Sequence, residues 1–411
     1  MMKKLLSKVA LAALATVAGA GAAHAQSAPT HSTSWTGTVG EDRFGDARFK
    51  MRGRFQYDLY SSDWDLGTTD DGTRSYVRRA FLGVQGRFSE HWRYKVDFIL
   101  TPGASEVNVD DAFLEYVGDN WSIVIGEHNI TSPLEDRISS LDIPFNERSS
   151  IITAFEYGRR AGVGFLTGGA NWSAAAALQG ESLNSAGENW GVDESTSVSG
   201  RFTFAPIFET SPEGVTLVHL GAHARLRDQG DNAGLRYRAR PLNGRNTRWI
   251  DGGSGVAQLA ESDTTYGVEA AVQFGAFGAQ AEYIAVDGEN TAGGDLEASG
   301  YYVDLSWSLT GESRNYRGNQ GSFGAIAPRN PITQEGGFGH VALSARYDYI
   351  DLSDAAFGGN RGEQTAYAVG LDWIPLDHVR FKLNYAFSDM DRTVGTDDEA
   401  QIVTLRTQFD F

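Results

Sequence analysis

The chain has 411 residues, a formal net charge of -18, 49 glycines, no cysteine and a mean hydropathy of -0.33. Without cysteine there are neither disulfides nor thiolate metal sites, and the acidity argues against nucleic acid as a partner. Beyond the N-terminal segment no stretch approaches the roughly 20 apolar residues of a membrane helix, which leaves a soluble exported protein or a barrel of alternating strands.

Residues 1–25 read as a secretory signal peptide. Lys3, Lys4 and Lys8 precede the run VALAALATVAGAGAA, and Ala23-His24-Ala25 forms an A-x-A site with cleavage predicted after Ala25. The run is too short and too rich in Ala and Gly for a retained anchor. Residues 26–46 are a polar periplasmic lead-in, and residues 47–411 are predicted to form an all-β, antiparallel outer-membrane β-barrel of about 16 strands.

That expectation rests on runs of roughly ten residues with alternating polarity, the length of a tilted transmembrane strand. They fall at 47–60, 76–88, 92–100, 108–117, 121–128, 160–167, 171–178, 197–205, 215–227, 265–274, 277–286, 299–309, 339–349, 364–373, 379–387 and 400–411. In the first, RFKMRGRFQYDLY, Arg48, Lys50, Arg52 and Arg54 share one face, and Phe49, Met51, Phe55, Tyr57 and Leu59 the other. WRYKVDFIL sets Trp92, Tyr94, Val96, Phe98 and Leu100 against Arg93, Lys95 and Asp97; YYVDLSWSL and VRFKLNYAF follow the same scheme.

Short links such as Ser89-Glu90-His91, Gly118-Asp119-Asn120 and Gly275-Ala276 alternate with long polar ones near 61–75, 129–159, 228–264 and 388–399. Short periplasmic turns and long outer loops are the pattern of a membrane barrel. Two connections, 206–214 and 310–338, are too long for periplasmic turns, so the strand number is set to within about two. In the terminal run, IVTLRTQFDF, Val403, Leu405, Thr407, Phe409 and Phe411 lie on one face, suited to an interfacial aromatic girdle. Phe409 and Phe411 resemble the terminal signature read by the barrel-assembly machinery.

If the apolar faces meet lipid, the opposite faces line the lumen. There the first three strands place Arg48, Lys50, Arg52, Arg54, Arg79, Arg87, Arg93 and Lys95, with Arg225, Arg346, Arg380, Lys382 and Arg406 further on. Asp97, Asp111, Glu115, Glu269 and Glu282 share these faces. Rows of Arg and Lys select anions by replacing part of the hydration shell; alternatively, these cations pair with the carboxylates and stiffen the wall.

The segment 129–159 is too long and, in its second half, too apolar for a solvated loop. Folded inward it would bury Leu141, Ile143, Phe145, Ile151 and Ile152 and bring Arg137, Glu147 and Arg148 to a constriction. In 228–264, RYRAR alternates Arg236, Arg238 and Arg240, which in extended backbone would align three guanidiniums for phosphate or carboxylate oxygens; the other reading is an outer loop touching lipopolysaccharide. His219 and His223 are four apart on one strand, without a third ligand at helpful spacing, and neither G-x-S-x-G nor H-E-x-x-H occurs. No catalytic set, metal or cofactor is assigned.

Several blocks in order, RRAFLGVQGRFSEHWRYKVDF, DDAFLEYVGDNWSIVIGEHN, FNERSSI, YGRRAGVGF, RYRARP, LTGESRNYRGNQGSFG with PRNPI, and ALSARYDYIDLSD, together resemble the phosphate-selective porin O/P family. The resemblance implies a sixteen-stranded barrel, a homotrimer, and an arginine ladder with inward-folded loops that pass phosphate, pyrophosphate or polyphosphate. By motif it carries constriction-loop roles to Arg236, Arg238, Arg240, Glu147 and Arg148. The sequence departs from the family's lysine-rich entrance loops: beyond the signal peptide only Lys50, Lys95 and Lys382 occur, and SSDWDLGTTDDG, VDGENTAGGDLEA and SDMDRTVGTDDEA are acidic. Expected partners are outer-membrane lipid and lipopolysaccharide, small anionic solutes and further copies of the chain. A sugar or organic-acid porin, a barrel enzyme and a plugged structural barrel are the competing readings.

Overall fold

The computed structural model describes residues 36–38, 48–66, 70–100, 107–155, 157–184, 195–230, 234–252 and 259–411. The signal peptide and most of the lead-in expected at 1–46 lie outside these residues; from it only the short strand Thr36–Thr38 is described, paired with the start of the first barrel strand.

Sixteen long strands form the barrel wall: β1 Arg48–Trp64, β2 Gly72–Arg87, β3 Trp92–Ile99, β4 Asn108–Val117, β5 Trp121–His128, β6 Arg160–Gly168, β7 Trp172–Gln179, β8 Thr196–Ser211, β9 Gly214–Asp228, β10 Ala260–Phe274, β11 Phe277–Asn290, β12 Asp295–Ser308, β13 His340–Leu352, β14 Gly362–Leu376, β15 Val379–Arg392 and β16 Asp398–Asp410. Each pairs antiparallel with its chain neighbours, and β16 closes on β1 from Arg54↔Asp410 to Trp64↔Ala400, so the sheet has no free edge. All sixteen alternating runs are strands, extended by a few residues at one or both ends in most cases.

The alternation sorts the two faces as expected. Trp92, Phe98 and Leu100, and likewise Tyr301, Val303, Leu305, Trp307 and Leu309, are exposed on the outer surface. Near the short turns, aromatic rings of neighbouring strands touch: Phe88–Tyr94 at 4.6 Å, Trp92–Tyr116 at 5.1 Å, Phe277–Trp307 at 5.4 Å and Trp373–Phe381 at 5.4 Å. Such a belt marks one membrane interface. At the barrel seam Phe409 stacks on Phe55 at 5.2 Å, and Phe411 exchanges backbone hydrogen bonds with Gly53. A Cβ on Gly53 would come within 2.4 Å of the Phe411 ring, so the ring occupies the space a side chain there would need.

The two connections that strained the turn pattern have simple explanations. β8 runs to Ser211 and β9 starts at Gly214, so 206–214 is mostly strand around a tight turn, with Gly214 at φ 141°. Residues 309–339 are a long connection at the periplasmic end, and they fold into the barrel rather than breaking the alternation of ends.

Three segments fill much of the lumen. Residues 129–159 carry two short helices, α1 Leu134–Arg137 and α2 Ser150–Ala154. Ile151, Ile152, Phe155 and Tyr157 pack with Tyr237 and Ile250 of the segment 234–252 against Ile284, Val286, Tyr302 and Ile350 of the wall. Leu134, Ile138 and Ile143 pack with Tyr316 and Phe323 of the periplasmic connection. Leu141, expected in this core, is only half-buried. Burial of these apolar side chains holds the segments inside, at roughly 1.5–3 kcal/mol for each large side chain fully buried.

Candidate permeation path

The cations of the inner wall divide by what covers them. On the β8–β16 wall they are buried beneath the segment 129–159. Arg346 holds Asp304 at 2.7 Å and also Glu135, Arg406 grips Asp58 through two bonds of 2.7 Å, and Arg380 binds Asp372. Their remaining donors reach the backbone of the inward segment: Arg380 to the carbonyl of Leu141, Lys382 to Ile143, Arg406 to Asn146 and Arg346 to Glu147. Arg225 lies under the same cover, donating to the carbonyl of Phe155 at 2.9 Å. These residues face inward as alternation requires, but they anchor the loop and do not line open space. For Arg346, Arg380 and Arg406 the surroundings match the other alternative, pairing with lumenal carboxylates. Buried pairs of this kind roughly break even against desolvation, so their role is positional.

On the β1–β6 wall the cations stay accessible and line three cavities in series. The periplasmic one, of about 890 Å³, has Arg48, Lys50, Arg87, Arg93 and Lys95 against a single carboxylate, Glu115. It shares Gln85, Lys95, Phe113 and Glu115 with an inner cavity of about 510 Å³. There Arg52, Arg54, Arg79, Lys95, Arg137, Arg148, Arg159 and Arg317 face Asp110, Asp111, Glu115 and Asp136. Arg148 and Asp136 separate it from an outer cavity of about 330 Å³, lined also by Arg78, Arg238, Arg240, Arg248 and Glu147. Sixteen Arg and Lys side chains thus line the series against five carboxylates.

Some of these cations are neutralised. Arg52 lies 3.4 Å from Asp97, Lys95 binds Asp97 and Asp111, and Arg159 binds Asp111 at 2.7 Å and Asp110 at 3.3 Å. Others keep free donors. Among the described residues, Arg48, Lys50, Arg54, Arg87, Arg93, Arg137, Arg238, Arg240, Arg248 and Arg317 have no ion pair. Arg54 donates to Ser140 at 3.0 Å and sits over the Phe81 ring, and Arg137 donates to the carbonyl of Asn129 at 3.3 Å. A guanidinium has five N–H donors, so each has several to offer a passing solute.

Arg148 and Asp136 line both the outer and the inner cavity, and Glu147 lines the outer one. Arg148 is fixed by the carbonyls of Glu135 and Ile138 and lies 3.4 Å from Asp136. Burial alone would raise the Asp136 carboxyl, but the charges of Arg148 and Arg159 hold it below its ordinary value. Glu147 receives two 2.7 Å bonds from Arg78 and one of 3.0 Å from Arg406. Burial again opposes ionisation, and the surrounding arginines overcome it, so the carboxyl is held well below the usual range.

The first guanidinium of RYRAR behaves differently. Only Arg238–Ala239 is strand there, and Arg236 turns away to bind Asp251 through two bonds of 2.7 Å. Paired with Asp251, Arg236 lines none of the three cavities.

A family model described as "Phosphate-selective porin O and P" matches residues 49–411. The chain belongs to this family. Porin O of Pseudomonas aeruginosa is 28% identical over 399 residues, covering 88% of each protein. An uncharacterised protein of Caulobacter vibrioides is 34% identical over 402 residues, covering 94% of this chain and 78% of that protein. Among solved structures, the trimer form of OmpT, an outer-membrane protein of Vibrio cholerae, superposes with a TM-score of 0.56 at 11% identity, covering 89% of this chain and 99% of that one, a likeness of fold alone. The protein is an outer-membrane porin.

Within this porin, four path cations escaped the sequence reading, Arg78, Arg159, Arg248 and Arg317, as did the carboxylates Asp110 and Asp136. Arg78 had a signal. It adjoins Arg79 in β2, where strict alternation would drive one arginine into lipid. A bulge opposite Gln56 and Tyr57 resolves the conflict and turns both inward. Arg317 had none, because the depth of a periplasmic connection inside a lumen leaves no mark on local sequence.

Proposed function

We propose that this porin conducts small anions, with phosphate and its condensed forms foremost, by passive diffusion through the three cavities in series. One observation carries the reading: sixteen cations against five carboxylates line the route in a chain whose net charge is -18. Guanidiniums without carboxylate partners offer paired donors to tetrahedral oxyanions, and their spacing gives several weak stations rather than one tight site, so a bound ion can leave again. Arg148, exposed to both the outer and inner cavities, would be the station every ion passes. Export through a cleaved signal peptide at residues 1–25 and assembly as a homotrimer complete the proposal; the trimer form of the OmpT neighbour supports the latter.

A second reading, a porin for neutral or mixed small solutes, is favoured by the outer rim, where Asp65, Asp389, Asp398 and Glu399 crowd together. Phosphate addition to chloride-carrying single channels separates the two. The anion reading predicts a concentration-dependent fall in chloride current with phosphate and none with equal glucose; equal effects of both, or of neither, would favour the second.

A further inference from the structure

We propose that His223, Glu269 and Glu282 bind a divalent transition-metal cation of the zinc class beneath the inward segment. The three residues project into the lumen from β9, β10 and β11. One ligand atom from each, a ring nitrogen and two carboxylate oxygens, lies within 4.8 Å of the others. Sequence spacing suggested only the histidine pair; the third ligand comes from cross-strand register. Glu269 sits directly opposite Glu282, and His223 is one diagonal step away.

Room for the cluster is made by glycine. Gly267 faces His223 and Gly221 faces Glu269. A Cβ on Gly267 would come within 2.6 Å of His223 Nε2, and one on Gly221 within 2.4 Å of Glu269 Oε1.

Each ligand is oriented, and one is left wanting a partner. Tyr157 fixes His223 at Nδ1 with an O···N distance of 2.7 Å, the kind of outer contact that sets a ligating imidazole's tautomer. Nε2 is fully buried, with no hydrogen-bond partner, in a side chain 4% exposed. Glu269 is neutralised by Arg201. Glu282 has no ion pair among the described residues; it accepts from the amides of Leu134 and Glu135 and from the Tyr302 hydroxyl at 2.6 Å. Leu134 N–H donates to both carboxylates at 2.9 Å, which shows how close they come. Glu269 already has Arg201 and, at 3.1 Å, His219 Nε2 beside it, so it is Glu282, without an ion pair, and the unpartnered imidazole nitrogen that leave a place for one more positive charge. One nitrogen and two oxygen donors suit zinc, whereas calcium and magnesium take oxygen-only sets.

The site would also explain an arrangement at the constriction. Leu134, Glu135 and Tyr157 all belong to the segment 129–159, so a metal on these ligands staples that segment to three adjacent strands.

The test uses the full chain folded in detergent, with zinc content measured after gel filtration and cobalt(II) as a spectroscopic probe. Wild type should retain one zinc per chain, show a visible cobalt band and unfold at higher temperature with zinc present. His223→Gln and Glu282→Gln, each checked for heat-modifiable mobility as folded barrels, should lose the retained metal and the stabilisation. Comparison with His223→Gln removes any contribution from the exposed His91 and His378. Wild type that holds no stoichiometric metal and gains no stability would overturn the proposal. Equal retention by His223→Gln would overturn it as well. Anion conductance plays no part in either outcome.

Discussion

Arg54, Arg79 and Arg346 point to the same side of the wall and have different consequences. Arg54 and Arg79 face the inner cavity with donors to spare, so Arg54→Ala combined with Arg79→Ala should lower the anion-to-cation permeability ratio several-fold while leaving the barrel folded. An unchanged ratio would mean that these cations only brace the wall. Arg346 is fully enclosed by Asp304, Glu135 and two aromatic rings. Its replacement by alanine should cost about 3–5 kcal/mol, because two buried carboxylates lose their partner; thermal unfolding in detergent reads that loss. Glu147 gives a prediction in pH. Its folded-state pKa is depressed, so its contribution is complete above the ordinary value of about 4.3 and is lost only as pH falls through the lower folded value. Single-channel conductance should therefore be as steady at about pH 4 as at neutral pH, and channel noise that grows there would contradict the pairing.

The strands were legible because period-two alternation recurs over the whole wall, and a lipid face cannot tolerate misplacement of charge. The runs at 92–100 and 379–387 show it residue by residue. Connections were less legible. That 129–159 folds inward could be read from Ile143, Phe145, Ile151 and Ile152, which have no place in a solvated loop. Which wall it covers could not, since Arg380, Lys382 and Arg406 look in sequence like Arg48, Lys50 and Arg52. The difference arises from partners hundreds of residues away, such as the Leu141 and Asn146 carbonyls. Residues 309–339 are the remaining element that shapes the route, through Arg317 and Gln320 in the inner cavity. Replacing 315–324 with a short Gly-Ser link should raise single-channel conductance and weaken anion preference; conductance that stays the same would place this connection outside the route.

For the molecule as a whole, charge is distributed against its own average. The chain is acidic overall, at -18, while the open half of the lumen is lined by sixteen cations against five carboxylates. The acidic rim at Asp65, Asp389, Asp398 and Glu399 opposes anion entry most strongly at low ionic strength. The Debye length shrinks from about 10 Å at 0.1 M salt to about 3 Å at 1 M, so the rim's effect should fade as salt rises. Anion conductance should then increase more than in proportion to salt for ions entering from the outer side, a rectification absent when the four acids are replaced by their amides. The central claim, that the arginine-lined cavities set the sign of selectivity, is tested most directly by the zero-current potential of the reconstituted porin under a potassium chloride gradient. A potential of the sign set by chloride is expected, retained at both orientations of the gradient. A potential of the sign set by potassium would contradict it.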